Sequence, residues 1–233
     1  MSSKPKLCAY FACSCGGCQI ALVNLHETIL DLHNHVDFAL CPCLLDVRKE
    51  DLKSMPDGGI AIALFNGAIR TDENEGMARL LRRKSQRLIA FGACSFQGGI
   101  SPPNFLRTET DDFRTIYLEN PAVDNSARTV PQLTAQVPQS TSQFQVFCKS
   151  RPTLLDVGVD YFVPGCPPEP RQIWKVVEAM VRGFPLPPEG KSIGAGTSSA
   201  CNECARALIR RLRRAARRSV RYEPRNVLLR PGE

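Results

Sequence analysis

Residues 13–25 read CSCGGCQIALVNL, with Cys13, Cys15 and Cys18 crowded into six positions ahead of an apolar, helix-like run. The chain has eleven cysteines: Cys8, Cys13, Cys15, Cys18, Cys41, Cys43, Cys94, Cys148, Cys166, Cys201 and Cys204. An odd count fits a closed disulfide framework poorly. In a reducing compartment, clustered thiols more often bind metal or do redox chemistry. Taken alone, Cys15-x-x-Cys18 is open to three readings: half of an iron–sulfur site, a structural zinc pair, or a thioredoxin-like redox pair.

The elements that must position these thiols follow from the hydrophobic pattern. Apolar runs predict strands over 6–13, 36–42, 58–69, 87–94 and 160–166, the third apolar throughout, as a strand covered on both faces requires. Residues 17–34 carry Ile20, Val23, Leu25, Ile29 and Leu32 at roughly helical spacing. DENEGMARLLRRKSQ (72–86) has acids in its first turn and bases in its last. EPRQIWKVVEAMVRG (169–183) starts near a proline and ends on a glycine, so both stretches read as helices. Strands alternating with helices predict a parallel α/β sheet with right-handed crossovers. Residues 95–150, rich in Pro, Ser, Thr, Gln and Asn, read as a long loop excursion with one short helix near 110–119. Residues 184–199 read as a linker, which sets expected bodies of 1–190 and 191–233.

In this scheme Cys15 and Cys18 follow strand one, Cys94 closes strand four and Cys166 closes strand five. The carboxyl ends of parallel strands share one edge, where open α/β sheets bind ligands. Four cysteines far apart in sequence are thereby directed to one rim. Iron–sulfur clusters need four thiolates, commonly one close pair and others from elsewhere. Gly16 and Gly17 let the backbone bend and aim N–H groups at sulfide. A helix starting near Cys18 adds its positive end to an anionic centre. Gly92 precedes Cys94 by two residues, with Gly98 and Gly99 close behind. In PGCPP (164–168), Gly165 precedes Cys166, and Pro167 and Pro168 stiffen the loop after it. Structural zinc prefers two close pairs, whereas Cys94 and Cys166 each stand alone.

CGGCQIALVNL, FGACSFQGG and VPGCPPEP, in this order, resemble the small subunit of [NiFe] hydrogenases. They are most similar to the cytoplasmic type of methanogen F420-non-reducing hydrogenases and archaeal sulfhydrogenases. NGAIRTDENEG and CPCLLDVRKE resemble that family's connecting segments. The resemblance covers roughly residues 6–205. It implies a flavodoxin-like domain, with helices on both faces of its sheet, that holds a proximal [4Fe-4S] cluster on Cys15, Cys18, Cys94 and Cys166. It implies an electron relay, not a catalytic centre. The nickel–iron site sits in a large partner subunit, and a flavin or iron–sulfur subunit lies downstream. The 20 kDa-type subunit of respiratory complex I shares the fold, but its first motif resembles two adjacent cysteines. Here Gly16 and Gly17 separate Cys15 from Cys18, which favours the hydrogenase side.

Two departures from the family stand out. Related chains continue into a second cysteine-rich region carrying further clusters. CNEC resembles its opening, and so makes Cys201 and Cys204 candidates for a second site. The chain then ends at EPRNVLLRPGE, so one cluster is expected. Asn66 stands where the family tends to carry a glutamate before the glycine, which removes a carboxylate that could relay protons.

The remaining signals set limits. Of 233 residues, 43% are apolar and 23% charged, ordinary for a globular protein. No run approaches 18 apolar residues, so no membrane span is expected. The N-terminus lacks the apolar core and cleavage site of a signal peptide, so a cytoplasmic location is expected. Between Arg206 and Glu233 lie ten arginines and two glutamates, a charge of +8 that leaves −1 on residues 1–205. That body offers no general basic surface for nucleic acid. The Arg-rich tail reads as a solvated basic helix or as a dock for an acidic partner. His26, His33 and His35 read as solvated helix residues, and Phe11, Phe91 and Phe96 as core or interface residues. Two other classes stay open: a complex-I-like module passing electrons to a quinone, and a zinc-stabilised scaffold.

Overall fold

The computed structural model describes residues 4–98, 109–131 and 157–196. It also describes the backbone of short strands between 134 and 151, and residues 204, 206 and 209. The chain divides into two units, 1–195 and 196–233.

The first unit is built on a six-stranded sheet. Its strands are β1 (Lys6–Phe11), β2 (Asp37–Leu40), β3 (Ile60–Asn66), β5 (Ser85–Phe91), β9 (Tyr161–Val163) and β10 (Lys191–Ser192). The spatial order is β10-β9-β5-β3-β1-β2, and every pairing is parallel. Counted from β2 to β9, the sheet strands run 2-1-3-4-5, the flavodoxin-like order. Its switch point lies between β1 and β3, where successive connections leave to opposite sides.

Alternation along the strands builds two cores. Leu7, Ala9, Ile62, Leu64, Ile89 and Phe91 face one side and pack with Leu22, Leu32, Ile173 and Val177. Those four lie on α1 (Gly17–Val23), α2 (Thr28–His35) and α7 (Pro170–Val181). Cys8, Ala63, Phe65 and Leu88 face the other side, against Leu52 of α3 (Lys49–Ser54) and Met77, Ala78 and Leu81 of α4 (Asp72–Lys84). Burial on both faces is why β3 reads as unbroken apolar sequence. The helices begin where capping chemistry allows. The Thr71 hydroxyl accepts from the Asn74 N–H at the start of α4, and the Glu169 carboxylate accepts from the Gln172 N–H before Pro170 opens α7.

Several expectations need correction. The helix expected over 17–34 is two helices, because residues 24–27 turn and His26 takes φ 50. The buried face of the first is Cys18, Ala21 and Leu22, with Leu25 buried in the turn that follows, while Ile20 stays 61% exposed and Val23 43% exposed. The apolar stretch 58–69 is not one strand. β3 ends at Asn66, and Ile69–Thr71 (β4) pairs antiparallel with β8 (Phe147–Arg151). The excursion carries the expected short helix, α6 (Glu109–Phe113), running into a π-helical turn over Arg114–Leu118. It also carries a hairpin of β6 (Thr134–Val137) and β7 (Ser140–Gln143) that the polar composition conceals. The expected linker contributes β10, which pairs with β9 and carries the sheet past the expected boundary at 190. The tail, with Cys201, lies outside the described residues, apart from exposed Cys204, Arg206 and Ile209. No helix among the described residues is long and apolar enough to cross a membrane.

Candidate metal centre

The site begins with strand register. Phe11 pairs with Asn66, Asn66 with Phe91, and Phe91 with Val163, so the last residues of β1, β3, β5 and β9 form one row across the sheet. From that row the chain leaves into three loops. The first delivers Cys15 and Cys18, the second Cys94, the third Cys166. Cys94 does not close its strand as the sequence suggested. The strand stops at Phe91, Gly92 turns the chain, and Cys94 sits in the first turn of α5 (Ala93–Gln97).

Backbone hydrogen bonds stitch the loops together. The Ala12 N–H donates to the Asn66 carbonyl (2.8 Å), and Cys13 and Ala68 exchange N–H···O bonds of 3.2 and 2.9 Å. The Gly92 and Ala93 N–H groups donate to the Val163 and Gly165 carbonyls, both at 2.8 Å. Gln172 Nε2 donates to the Pro164 carbonyl (3.1 Å), tying the third loop to α7.

Glycine is needed where these loops meet. Gly16 takes φ 81 as it turns the first loop into α1. Gly92 takes φ 85, and a Cβ there would lie 2.5 Å from Cys18 Sγ, inside contact distance. Gly17 lies beside Cys15, a Cβ there falling 3.4 Å from its Sγ and 3.9 Å from Pro167 Cδ. Gly165 contributes the carbonyl that holds Ala93, and the Cys166–Pro167 bond is cis. The first loop, Gly92 and the proline loop are thus direct neighbours.

Cys18 and Cys94 are buried, while Cys15 and Cys166 are exposed. Burial pushes the Cys18 thiol up to about 12, and the thiols of Cys94, Cys15 and Cys166 add to the rise while the Asn66 amide opposes it. Among the described residues no three His, Cys, Asp or Glu side chains converge as holders of one metal ion. A polynuclear cluster takes its ligands at separate corners, whereas a lone zinc needs them around one point. A coordinating metal removes the proton that Cys18 otherwise keeps.

Asn66 is the residue that sequence reasoning left without this role. It is fully buried. Its Nδ2 donates to the Phe91 carbonyl (2.7 Å) and its amide reaches the Cys18 sulfur, while its Oδ1 is buried with no hydrogen-bond partner. An amide ending an otherwise apolar strand was the available signal, since a buried polar group calls for partners. Phe91 is core, and half-buried Phe96 lies tilted against Phe162 with centroids 4.4 Å apart. Phe11 is half-buried against the same core as Phe91. The three histidines are exposed.

A parallel flavodoxin-like sheet with cysteine-bearing loops at its carboxyl edge defines the class, and similarity to known proteins gives the family. Residues 15–180 match the family described as "NADH ubiquinone oxidoreductase, 20 Kd subunit", and the chain belongs to it. It is 34% identical over 203 residues to the iron-sulfur subunit of the F420-non-reducing hydrogenase of Archaeoglobus profundus, covering 86% of this chain and 63% of that protein. It is 30% identical over 183 residues to the delta subunit of the NAD-reducing hydrogenase HoxS of Cupriavidus necator, covering 78% of this chain and 81% of that one. Across the F420-non-reducing relatives, the chain spans about 60% of their length. A chain of a NAD+-reducing [NiFe]-hydrogenase in the H2-reduced state shares the fold, with TM-score 0.63 and 24% identity, covering 79% of this chain and 97% of that one. Homologues of this chain are therefore subunits of hydrogenases, which are oxidoreductases.

Proposed function

We propose that this chain is the electron-relaying iron–sulfur subunit of a cytoplasmic [NiFe] hydrogenase, with one [4Fe-4S] cluster held by Cys15, Cys18, Cys94 and Cys166. The observation that carries the reading is the row Phe11–Asn66–Phe91–Val163, which launches all four thiols from one edge of the sheet. When bound, such a cluster takes up and gives up one electron at a time. The chain's own residues set the conditions. Cys18 and Cys94 anchor from the buried side, and Cys15 and Cys166 close the site from the exposed side. Asn66 offers its amide to the Cys18 sulfur, where hydrogen bonding stabilises added negative charge. Being an amide, Asn66 does not titrate, so this position is no proton relay. Gly92 keeps a side chain out of the space beside Cys18.

The exposed rim would face a large subunit that splits hydrogen, and electrons would leave through a flavin or iron–sulfur subunit. Support comes from the hydrogenase subunits among its relatives. The family's name supports a second reading, an iron–sulfur subunit of a complex-I-like module without hydrogenase activity. Co-purification decides between them: a large partner with two cysteine pairs as nickel ligands supports the first, and a partner lacking them supports the second. Iron and acid-labile sulfide per chain test the cluster itself. About four of each means one cluster, about eight adds a second site at Cys201 and Cys204, and zinc without sulfide overturns the assignment.

A further inference from the structure

A second pair of thiols lies apart from the four at the rim. β2 runs directly into Cys41-Pro42-Cys43. Cys41 is fully buried, Cys43 is half-buried, and their sulfurs are 3.3 Å apart. The Cys41 carbonyl accepts from the N–H groups of Leu44 and Leu45, both at 2.8 Å, closing a tight turn that puts both sulfurs on one side. Among the described residues, no third His, Cys, Asp or Glu joins them to form a metal group. Cys43 opens onto a cleft of about 440 Å3, lined also by Leu40, Pro42, Leu44, Leu45 and Asp46. Leu44 and Leu45, which line it, keep 40% and 39% of their surface exposed.

We propose that Cys41 and Cys43 form a thiol–disulfide exchange site whose substrate is a small organic disulfide entering this cleft. The Cys43 thiolate attacks one sulfur of the substrate, the substrate's S–S bond breaks, and the departing thiolate takes up a proton. The mixed disulfide on Cys43 is then attacked by Cys41, which gives up its proton, and the second substrate thiol leaves. Overall one disulfide is reduced to two thiols while two protein thiols are oxidised to one disulfide. The sulfurs need only close from 3.3 Å to the bonded distance of about 2.05 Å.

The surroundings set the order of attack. Burial raises the Cys41 thiol's pKa and contact with Cys43 raises it further, so Cys41 keeps its proton and Cys43, at the cleft, meets the substrate first. The backbone amides of Cys43 and Leu44 offset part of that rise. The site needs neither iron nor the hydrogenase reading.

The test uses the full chain, purified anaerobically and fully reduced, then treated with bis(2-hydroxyethyl) disulfide. Free thiols are blocked with maleimide under denaturing conditions, and a chymotryptic digest is weighed. The expected peptide carrying Cys41 and Cys43 has lost two hydrogens and carries no maleimide. In Cys41→Ser the exchange stops halfway, and Cys43 holds half of the probe as a stable adduct. In Cys43→Ser the rate at this peptide falls at least about tenfold, because the accessible thiol is gone. A parent peptide still carrying two maleimides after treatment overturns the proposal, whether or not either variant folds. So does a Cys43→Ser chain whose Cys41 is modified as fast as the parent pair.

Discussion

At the amino-terminal end of the sheet, Asp160 accepts hydrogen bonds from the Leu88 N–H (2.6 Å) and from Arg82 Nη1 (2.8 Å), joining β9, β5 and α4. Nearby, buried Lys84 donates to the Met55 carbonyl and pairs with Asp57 at 2.9 Å. At the carboxyl-terminal end the loops are tied by backbone bonds, glycines and prolines around thiols. One end uses charge to fix strands and helices. The other gathers thiol-bearing loops. The contrast separates holding the fold from holding a ligand, and it can be broken from either side.

The largest effect is expected at the thiol-bearing loops. Cys94→Ser and Cys166→Ser should each reduce bound iron from about four to below one per chain, since three thiolates hold a cubane poorly. Far-ultraviolet circular dichroism should change little, because Cys166 is exposed and serine nearly matches the size of buried Cys94. Full iron in both variants would remove the ligand assignment. Gly92→Ala comes next. Its Cβ would meet Cys18 Sγ at 2.5 Å on a backbone at φ 85, so both iron loading and stability should fall, the latter by about 2 kcal/mol in urea unfolding.

Asp160→Ala should show the converse. Losing a charged acceptor that two donors share should cost about 2 kcal/mol, or roughly 5 °C in Tm, with iron per chain unchanged. If it emptied the site instead, the two ends would not be separable. The smallest effect concerns pH. Burial holds the Cys8 thiol at about 12 in the folded chain against an ordinary value of 9.0. Above pH 9 the unfolded chain loses this proton while the folded chain keeps it, so stability falls as pH rises. This one group contributes at most about 1.4 kcal/mol per pH unit. Cys8→Ala should flatten the pH dependence of the urea midpoint between pH 9 and 10.5 by that share.

Much of this was legible in the sequence, and the gaps have physical causes. β1, β3 and β5 announce themselves because strands buried on both faces must be apolar. The four rim cysteines could be placed because each follows such a strand. The break at His26 could not, because no glycine or proline marks it and the apolar spacing runs on through it. The pairing of β4 with β8 joins residues some eighty positions apart, which local pattern cannot express. Gly92 was noticed as a neighbour of Cys94, yet only the fold shows that it faces Cys18. The Cys41–Cys43 contact depends on a turn that spacing alone does not specify.

The bonds from Gly92 to Val163 and from Ala93 to Gly165 clamp the two ends of a detour in the chain. The excursion between them is also tied back to the body, by the pairing of β4 with β8 and by the Arg70–Asp112 ion pair at 2.6 Å. Because the clasp closes at Gly92 and Ala93, changes of length between those anchor points leave Cys94 and Cys166 on their own loops. A lineage could reshape the excursion there while the thiol-bearing loops kept their places.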